Sequence, residues 1–365
     1  MQQVEGVAQK TGHGRIDRLD GIRAVAIAMV VSAHLGLWAN GWMGVPLFFV
    51  LSGLLITRIL RRDRAAASFW KPFYIKRATR ILPPLVLALI IAALFFSIPW
   101  RKLGLYYLFF AANVGEVLHR GESKGLGVMW SLAVEEQYYL LWPFAIRFLS
   151  RRHLIQLLIG LLIFEPILRA AFTPVFPTMW PIYFLTPFQL DGLAAGSLLA
   201  ILLEDAAITE RLRVWSGKIA LLILVLFLAF DRIPTFNVDA NSIVFNSLGY
   251  SMVSLAAASL ILYVLLQPQA IISKTLSIPF LVFLGTISYG IYLFHVLGID
   301  LVVQIGSRLG IFHFHRLAGA AVPLVVAFSW LSFKFYEEPI MNWGRRRAAY
   351  LTMSSRKPEF LSSLR

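Results

Sequence analysis

DGIRAVAIAMVVSAHLGLW, residues 20–38, reads as a membrane span with ionisable side chains along one face. Arg23 and His34 are eleven residues apart. At ~3.6 residues per turn that is close to three turns, so both side chains point the same way. Asp20, three residues before Arg23, lies on the same stripe. The residues between Arg23 and His34 begin AVAIAMVV and are apolar. An ionisable group deep in hydrocarbon is costly and marks a pathway or a reactive site. His34 is therefore the candidate general base, because an imidazole changes its protonation near neutrality. The blander reading is a buried histidine bonded to a neighbouring helix.

Outward from that stretch, apolar runs of bilayer length recur along the whole chain. It has 365 residues, 58% of them hydrophobic, with a mean hydropathy of +0.72. This composition excludes a soluble domain and predicts an all-α, polytopic integral membrane protein. No segment carries the ten-residue alternation of an outer-membrane barrel. The polar N-terminus runs directly into the first span, which argues against a cleavable leader. Cysteine is absent, so disulfides, cysteine ligands and a cysteine acyl-enzyme are excluded. The net charge of +15 is read as the Lys and Arg excess of cytoplasmic loops, not as a nucleic-acid surface.

That charge pattern orients about ten spans with both termini cytoplasmic. They are read at 22–38, 44–60, 81–98, 130–149, 154–172, 187–203, 219–231, 248–266, 281–303 and 317–336. The division is a cytoplasmic segment 1–21, a transmembrane domain 22–340 and a cytoplasmic tail 341–365. Arg58, Arg61, Arg62, Arg64, Lys71, Lys76, Arg77 and Arg80 crowd the loop after the second span. Pro83 and Pro84 are expected in the first turn of the third. Residues 103–118, interrupted by Asn113, Gly115 and Glu116, read as interfacial or re-entrant. The external loops 173–186 and 232–247 are poor in basic residues, and the loop near 308–316, with Arg308, His313, His315 and Arg316, is the exception.

Rise per residue puts several ionisable groups at one depth. His34 lies ~16 Å beyond Arg23, Glu135 lies less than ~10 Å below the outer edge, and His295 is ~21 Å from the inner edge. In a ~30 Å core they share a layer in the outer half, with Gln189 and Asp191 near the same level. Ser131 is the expected N-cap of the Glu135 helix. Glu135 shares a face with Ser131, Tyr138, Tyr139 and Trp142. Tyr292 and Ser288 align with His295 at helical spacing. Arg77 and Arg80 form an R-x-x-R pair one turn apart, able to clamp a phosphate, although a positive-inside belt would place arginines there anyway.

Seven segments together resemble the acyltransferase-3 family of integral membrane O-acyltransferases. They are RLDGIRAVAIAMVVSAHLG, GWMGVPLFFVLSGLLIT, FYIKRATRILPP, WSLAVEEQYYLLWP, QLDGLAAGSLLA, GTISYGIYLFHV and FYEEPI. They occur in the family's order and cover nearly the whole chain. The resemblance implies transfer of an acyl group, commonly acetyl from acetyl-CoA, to a hydroxyl of a saccharide or glycosylated acceptor at a bacterial inner membrane, with no metal. The family's R-x(10)-H pattern maps onto Arg23 and His34, its R-x-x-R pattern onto Arg77 and Arg80, and the glutamate of W-S-L-x-x-E onto Glu135. Relatives often carry an arginine where this chain has Gln189, so a charge contact is either missing or supplied from elsewhere. Members with a second, esterase-like domain continue well past the last span, so this chain resembles the stand-alone type.

The expected site is then His34, Glu135 and Arg23 at the chemistry. Lys76, Arg77, Arg80 and Arg23 would hold an anionic acyl-CoA from the cytoplasmic side, and His295, Tyr292, Asp191, Tyr139 and Glu136 would meet the acceptor. The competing class is a proton-coupled transporter of an envelope glycan or acyl precursor, which buried His, Glu and Asp also suit. Carriers often show repeated halves and paired broken helices, and neither is evident here. A membrane scaffold leaves the Arg23–His34 stripe without a role.

Overall fold

The computed structural model describes residues 16–231, 241–311 and 313–354. Residues 1–15 of the expected N-terminal segment, 232–240 of the expected external loop and 355–365 of the expected tail lie outside the described residues. The described residues are all-helical, and the chain is a multi-pass membrane protein. Seven helical stretches are long and apolar enough to cross a membrane: Ala39–Asp63, Trp70–Phe95, Arg151–Phe172, Ala206–Ala229, Phe245–Leu266, Ser288–Arg308 and Phe314–Met353. The expected count of ten is therefore not reached on length and composition. The shortfall falls on α1 (Asp17–His34), α6 (Met129–Phe148) and α9 (Leu190–Leu202). α1 carries Asp17, Arg18, Asp20 and Arg23, α6 carries Glu135 and Glu136, and α9 has only 13 residues. α1 and α6, which are too polar to meet the criterion, carry Arg23, His34, Glu135 and Glu136, and α9, which is apolar but short, carries Asp191; Lys76, Arg77, Arg80 and His295 lie on helices that meet it.

α1 ends in a helix stop written in HLG. Gly36 adopts φ +69°, and the Gly36 and Leu37 amides bond back to the carbonyls of Ala33 (3.0 Å) and Ser32 (2.9 Å). This is the Schellman arrangement, in which a left-handed residue, nearly always glycine, satisfies the last carbonyls. It makes His34 the final residue of α1. A 3-10 turn, Ala39–Met43, leads into α2 (Gly44–Asp63), which returns.

α3 spans Trp70–Phe95, so it begins eleven residues before the expected start at 81. Pro83 and Pro84 lie inside it, not in its first turn. Lys76, Arg77 and Arg80 are thus on a spanning helix, and the basic connection shrinks to 64–69. Residues 100–118 form two short helices, α4 (Trp100–Leu108) and α5 (Ala112–Leu118), separated near Phe110 at φ +51°. Neither has the length to span. α7 (Arg151–Phe172) and the short α8 (Trp180–Phe184) precede α9.

α10 (Ala206–Asp231) starts thirteen residues before the expected 219 and takes Arg211, Arg213 and Lys218 into the helix. α11 (Tyr250–Leu266), α12 (Ile271–Leu276) and α13 (Pro279–Thr286) follow. α14 (Ser288–Arg308) is separated from α13 at Ile287, so the expected span 281–303 is two helices. α15 (Phe314–Ser332) passes through a π-helical turn, Phe333–Glu337, into α16 (Glu338–Ser354). The expected tail from 341 is therefore helical up to Ser354. α16 packs on α3, where a Cβ on Gly344 would sit 2.2 Å from Thr79 Oγ1.

Close helix approach rests on small residues, the usual device of packing within a bilayer. A Cβ on Gly53 of α2 would meet the Leu193 carbonyl oxygen of α9 at 2.1 Å, and one on Gly196 would meet that of Val50 at 2.0 Å. α1 is gripped in the same way by α12 and α13, because a Cβ on Gly21 or Gly285 would fall within 2 Å of the Leu276 or Asp20 carbonyl oxygen. α1 also packs on α2, where a Cβ on Gly44 would sit 2.3 Å from the Ala26 carbonyl oxygen, and meets α14 through His34 and His295.

Candidate active site

His34 is exposed at the end of α1. Its Nδ1 lies 2.9 Å from the Val30 carbonyl oxygen, one turn back, and 3.3 Å from Nε2 of His295 on α14. The two rings meet edge to face with centroids 4.8 Å apart. His295 is 1% exposed, and its Nδ1 faces the carbonyl oxygens of Tyr292 (2.8 Å) and Ile291 (3.2 Å). One turn before it, the Tyr292 hydroxyl donates to the Val128 carbonyl oxygen (2.9 Å) and pairs with Ser131 Oγ (2.5 Å). Ser131 is inside α6, which begins at Met129, so it ties α6 to α14 and does not cap the helix. The two histidines expected at one depth are therefore in contact, and Tyr292 supports them.

Glu135 belongs to a second group, built between α2, α3 and α6. Its Oε1 accepts a hydrogen bond from Ser52 of α2 at 2.5 Å. One turn on, the Tyr139 ring lies under Arg77, whose guanidinium carbon is 3.9 Å from the ring centroid. Arg77 also reaches Glu136 at 3.7 Å. Arg77 Nε and Glu136 Oε1 are both buried and make no hydrogen bond among the described residues. Arg23 pairs with Asp20 on its own helix at 2.5 Å. Arg80 has Arg23, Arg77 and Asp20 as charged neighbours and forms no hydrogen bond or ion pair among the described residues. Lys76 is half-buried beside them on α3. The cluster thus brings three guanidiniums, Arg23, Arg77 and Arg80, to Asp20, Glu135 and Glu136. It forms no contact between Glu135 and His34.

Asp191 lies apart from both groups. Its Oδ2 receives Arg169 Nη2 (2.9 Å) and Ser251 Oγ (3.0 Å), and its Oδ1 receives Ser254 Oγ (3.0 Å) and the Gly192 amide (2.7 Å). Both oxygens are occupied and the residue is 3% exposed, so Asp191, expected to meet the acceptor, has its carboxylate engaged by α7, α9 and α11. Arg169 comes from α7 and also donates to the Phe188 carbonyl oxygen at 2.8 Å. Glu165, one turn earlier, accepts from the Leu190 amide at the start of α9 (2.5 Å), where the helix dipole favours an anion. Arg169 thus puts a buried guanidinium within two residues of Gln189, whose own side chain donates to the Ile182 carbonyl oxygen at 3.0 Å. Glu165 and Arg169 are not among the residues expected from sequence, although a Glu and an Arg at i, i+4 inside the apolar LLIFEPILRAAF mark such a pair.

A family model described as an acyltransferase domain matches residues 16–334. The chain belongs to this acyltransferase family. The family match covers the helices that carry both groups, from α1 through α14. The chain is similar to a putative peptidoglycan O-acetyltransferase, YrhL, of Bacillus subtilis, with 30% identity over 92% of this chain and 57% of the relative. It is 29% identical to the peptidoglycan O-acetyltransferase OatA of Listeria monocytogenes, over 90% of this chain and 56% of that protein. A putative O-acetyltransferase of Staphylococcus aureus is 27% identical over 94% and 60%. The chain thus spans somewhat under two thirds of the length of the curated relatives it matches. No solved structure matches it. Among the described residues no group of three or more His, Asp or Glu side chains is arranged to hold a metal.

Proposed function

We propose that this member of the acyltransferase family moves an acetyl group from acetyl-CoA, or another short acyl group from its CoA thioester, to a hydroxyl of a saccharide or glycosylated acceptor. The bilayer would be a bacterial inner membrane, and the acceptor an envelope glycan, a class that includes the substrate named for the two peptidoglycan relatives. The observation that carries the reading is His34, an exposed imidazole at a helix end with Nδ1 held by the Val30 carbonyl and no hydrogen bond to Nε2 among the described residues.

His34 Nε2 takes the proton of the acceptor hydroxyl as that oxygen attacks the thioester carbonyl. A C–O bond forms, the C–S bond breaks, and the CoA thiolate leaves and takes up a proton. The Arg23, Arg77 and Arg80 group answers the need for positive charge along an anionic donor. Arg77 Nε, buried without a hydrogen-bond partner, gives that group unused donor capacity. Glu135, held by Ser52 and facing Arg77, fixes the arginine it sits beside.

The test is acetyl transfer from acetyl-CoA to glycan fragments by the full chain purified in detergent, where no compartments exist and transport cannot be mistaken for turnover. His34→Ala is expected to lose roughly 10²–10⁴ in rate, the contribution of a positioned base. Turnover equal to wild type in a folded His34→Ala protein removes the base. A wild-type chain that neither transfers nor hydrolyses the thioester removes the donor.

A further inference from the structure

We infer that His295 is the positioning residue for His34: a neutral imidazole that accepts a hydrogen bond from His34 Nδ1 and so commits His34 Nε2 to the reaction. The inference rests on the reading of His34 as the base, and it gives His295 a role other than the acceptor contact expected from sequence.

Hydrogen-bond bookkeeping fixes the tautomers. A neutral imidazole has one N–H donor and one lone pair. His295 Nδ1 faces two carbonyl oxygens, of Tyr292 at 2.8 Å and Ile291 at 3.2 Å. Carbonyl oxygens only accept, so Nδ1 carries the hydrogen and Nε2 the lone pair. That lone pair points at His34 Nδ1 across 3.3 Å. His34 Nδ1 also faces the Val30 carbonyl oxygen at 2.9 Å. Both of its neighbours are acceptors, so His34 Nδ1 carries the hydrogen and shares it between them. The opposite tautomer of His34 would set its Nδ1 lone pair against a carbonyl oxygen and a second ring's lone pair. His34 Nε2 is therefore the nitrogen left to take a proton.

The arrangement works in the same sense as a carboxylate behind a catalytic histidine: the partner fixes the tautomer and ring orientation, and the bond between them tightens when the outer ring becomes cationic. Here the partner brings no negative charge. His295 is 1% exposed and sits on α14 beside a narrow apolar crevice between α1, α14 and α15, lined by Val31, Ile299 and Val325 among others. An apolar wall on that side leaves His34 as the polar group that Nε2 meets. The Tyr292–Ser131 bond, 2.5 Å, braces the helix turn that carries His295 against α6.

Two substitutions separate positioning from packing. His295→Leu removes the acceptor, whereas His295→Gln keeps one, because its amide oxygen reaches about where Nε2 lies. In the full chain in detergent, His295→Leu is expected to lower kcat on the order of 10- to 100-fold, the loss seen when an outer partner that orients a histidine is removed. The KM values for acetyl-CoA and the acceptor should stay at wild type, and His295→Gln should recover most of kcat. A rise in acceptor KM with kcat unchanged would return His295 to the substrate, and wild-type kinetics in His295→Leu would remove any role. A readout independent of activity comes from 15N-histidine NMR in nanodiscs. We expect His34 to hold hydrogen on Nδ1 and the lone pair on Nε2, and the reverse tautomer overturns the inference. If His34→Ala is itself active, the base reading fails. If His34→Ala is inactive and His295→Leu is fully active, only the positioning role fails.

Discussion

Arg169 is the bulkiest side chain that the fold buries completely, and its surroundings explain how the bundle tolerates it. Asp191, Ser251 and the Phe188 carbonyl accept from it, and Glu165 lies 3.7 Å away. A buried ion pair adds little net stability over an apolar equivalent, but removing one partner strands the other charge at a cost of roughly 3–5 kcal/mol. Arg169→Met should therefore lower the melting temperature in detergent sharply, because Asp191 and Glu165 lose the cation they share. Adding Asp191→Asn to Arg169→Met should recover part of the loss. A melting curve unmoved by Arg169→Met would sink the account of Arg169 as a structural tie. The Arg77 and Arg80 pair predicts the opposite kind of effect. Arg77→Ala with Arg80→Ala should weaken acetyl-CoA binding, measured by calorimetry, and most clearly at low salt, where charge interactions are least screened. Affinity unchanged at every salt concentration would leave these arginines as a topological belt only.

At the scale of elements, the stop after α1 sets where the base stands. Gly36 occupies a left-handed position at φ +69°, and a Cβ there would meet only the His315 ring at 3.8 Å. Gly36→Ala is thus a test of backbone strain with little steric confusion. It should cost about 1 kcal/mol in thermal stability and lower acyl transfer further by loosening His34; a variant with full activity would mean that the helix end does not hold the imidazole. The α2–α9 crossing makes the contrary case. Gly53→Val must push Leu193 backbone away from a position 2.1 Å from the new Cβ, so the protein should fail to assemble in the membrane, read by the yield of monodisperse protein. Much of this architecture was legible in sequence, for reasons specific to each element. The eleven-residue spacing of Arg23 and His34 needed only a continuous helix, and α1 provides one. Shared depth put His34, His295 and Glu135 in one layer; the two histidines do meet, whereas Glu135 lies with Ser52 and the Arg77 group, a separation that depth alone does not report. The start of α3 was missed because Pro83 and Pro84 read as a helix opening, while α3 carries them in its interior, thirteen residues after Trp70. The break at Ile287 and the π turn at Phe333–Glu337 leave no mark on apolar periodicity. The Ser52–Glu135 bond joins residues 83 apart in sequence, and no local pattern reports such a pairing.

For the molecule as a whole, Arg and Lys are spread unevenly between the two ends of the bundle, and under the positive-inside rule the richer end is the one expected to face a cytoplasmic donor. One end gathers Arg58, Arg61, Arg62, Arg64, Arg147, Arg151 and Arg152. It is tied together there: Arg64 donates to the Leu149 carbonyl oxygen at 2.8 Å, Arg147 donates to that of Arg64, and Arg61 pairs with Glu204 at 2.7 Å. The other end holds the close of α1 with His34, the opening of α6 and the segment between α7 and α8, and it also carries Arg101, Lys102, Arg120, Lys124, Arg308 and Arg316. The positive-inside rule places the arginine end in the cytoplasm, where an anionic acyl-CoA would approach Arg77 and Arg80 while an acceptor reached His34 from the outer half. Because the natural chain contains no cysteine, the orientation can be read with single introduced thiols and a membrane-impermeant maleimide. Ala67→Cys, exposed in the connection between α2 and α3, should label in intact cells only after permeabilisation. Thr178→Cys, exposed between α7 and α8, should label without it. Labelling of Ala67→Cys in sealed cells with Thr178→Cys protected would invert the protein. The donor would then have to bind at an arginine-rich end that faces away from the cytosol, where no acyl-CoA is supplied, and the route proposed for acetyl transfer would fail together with the orientation.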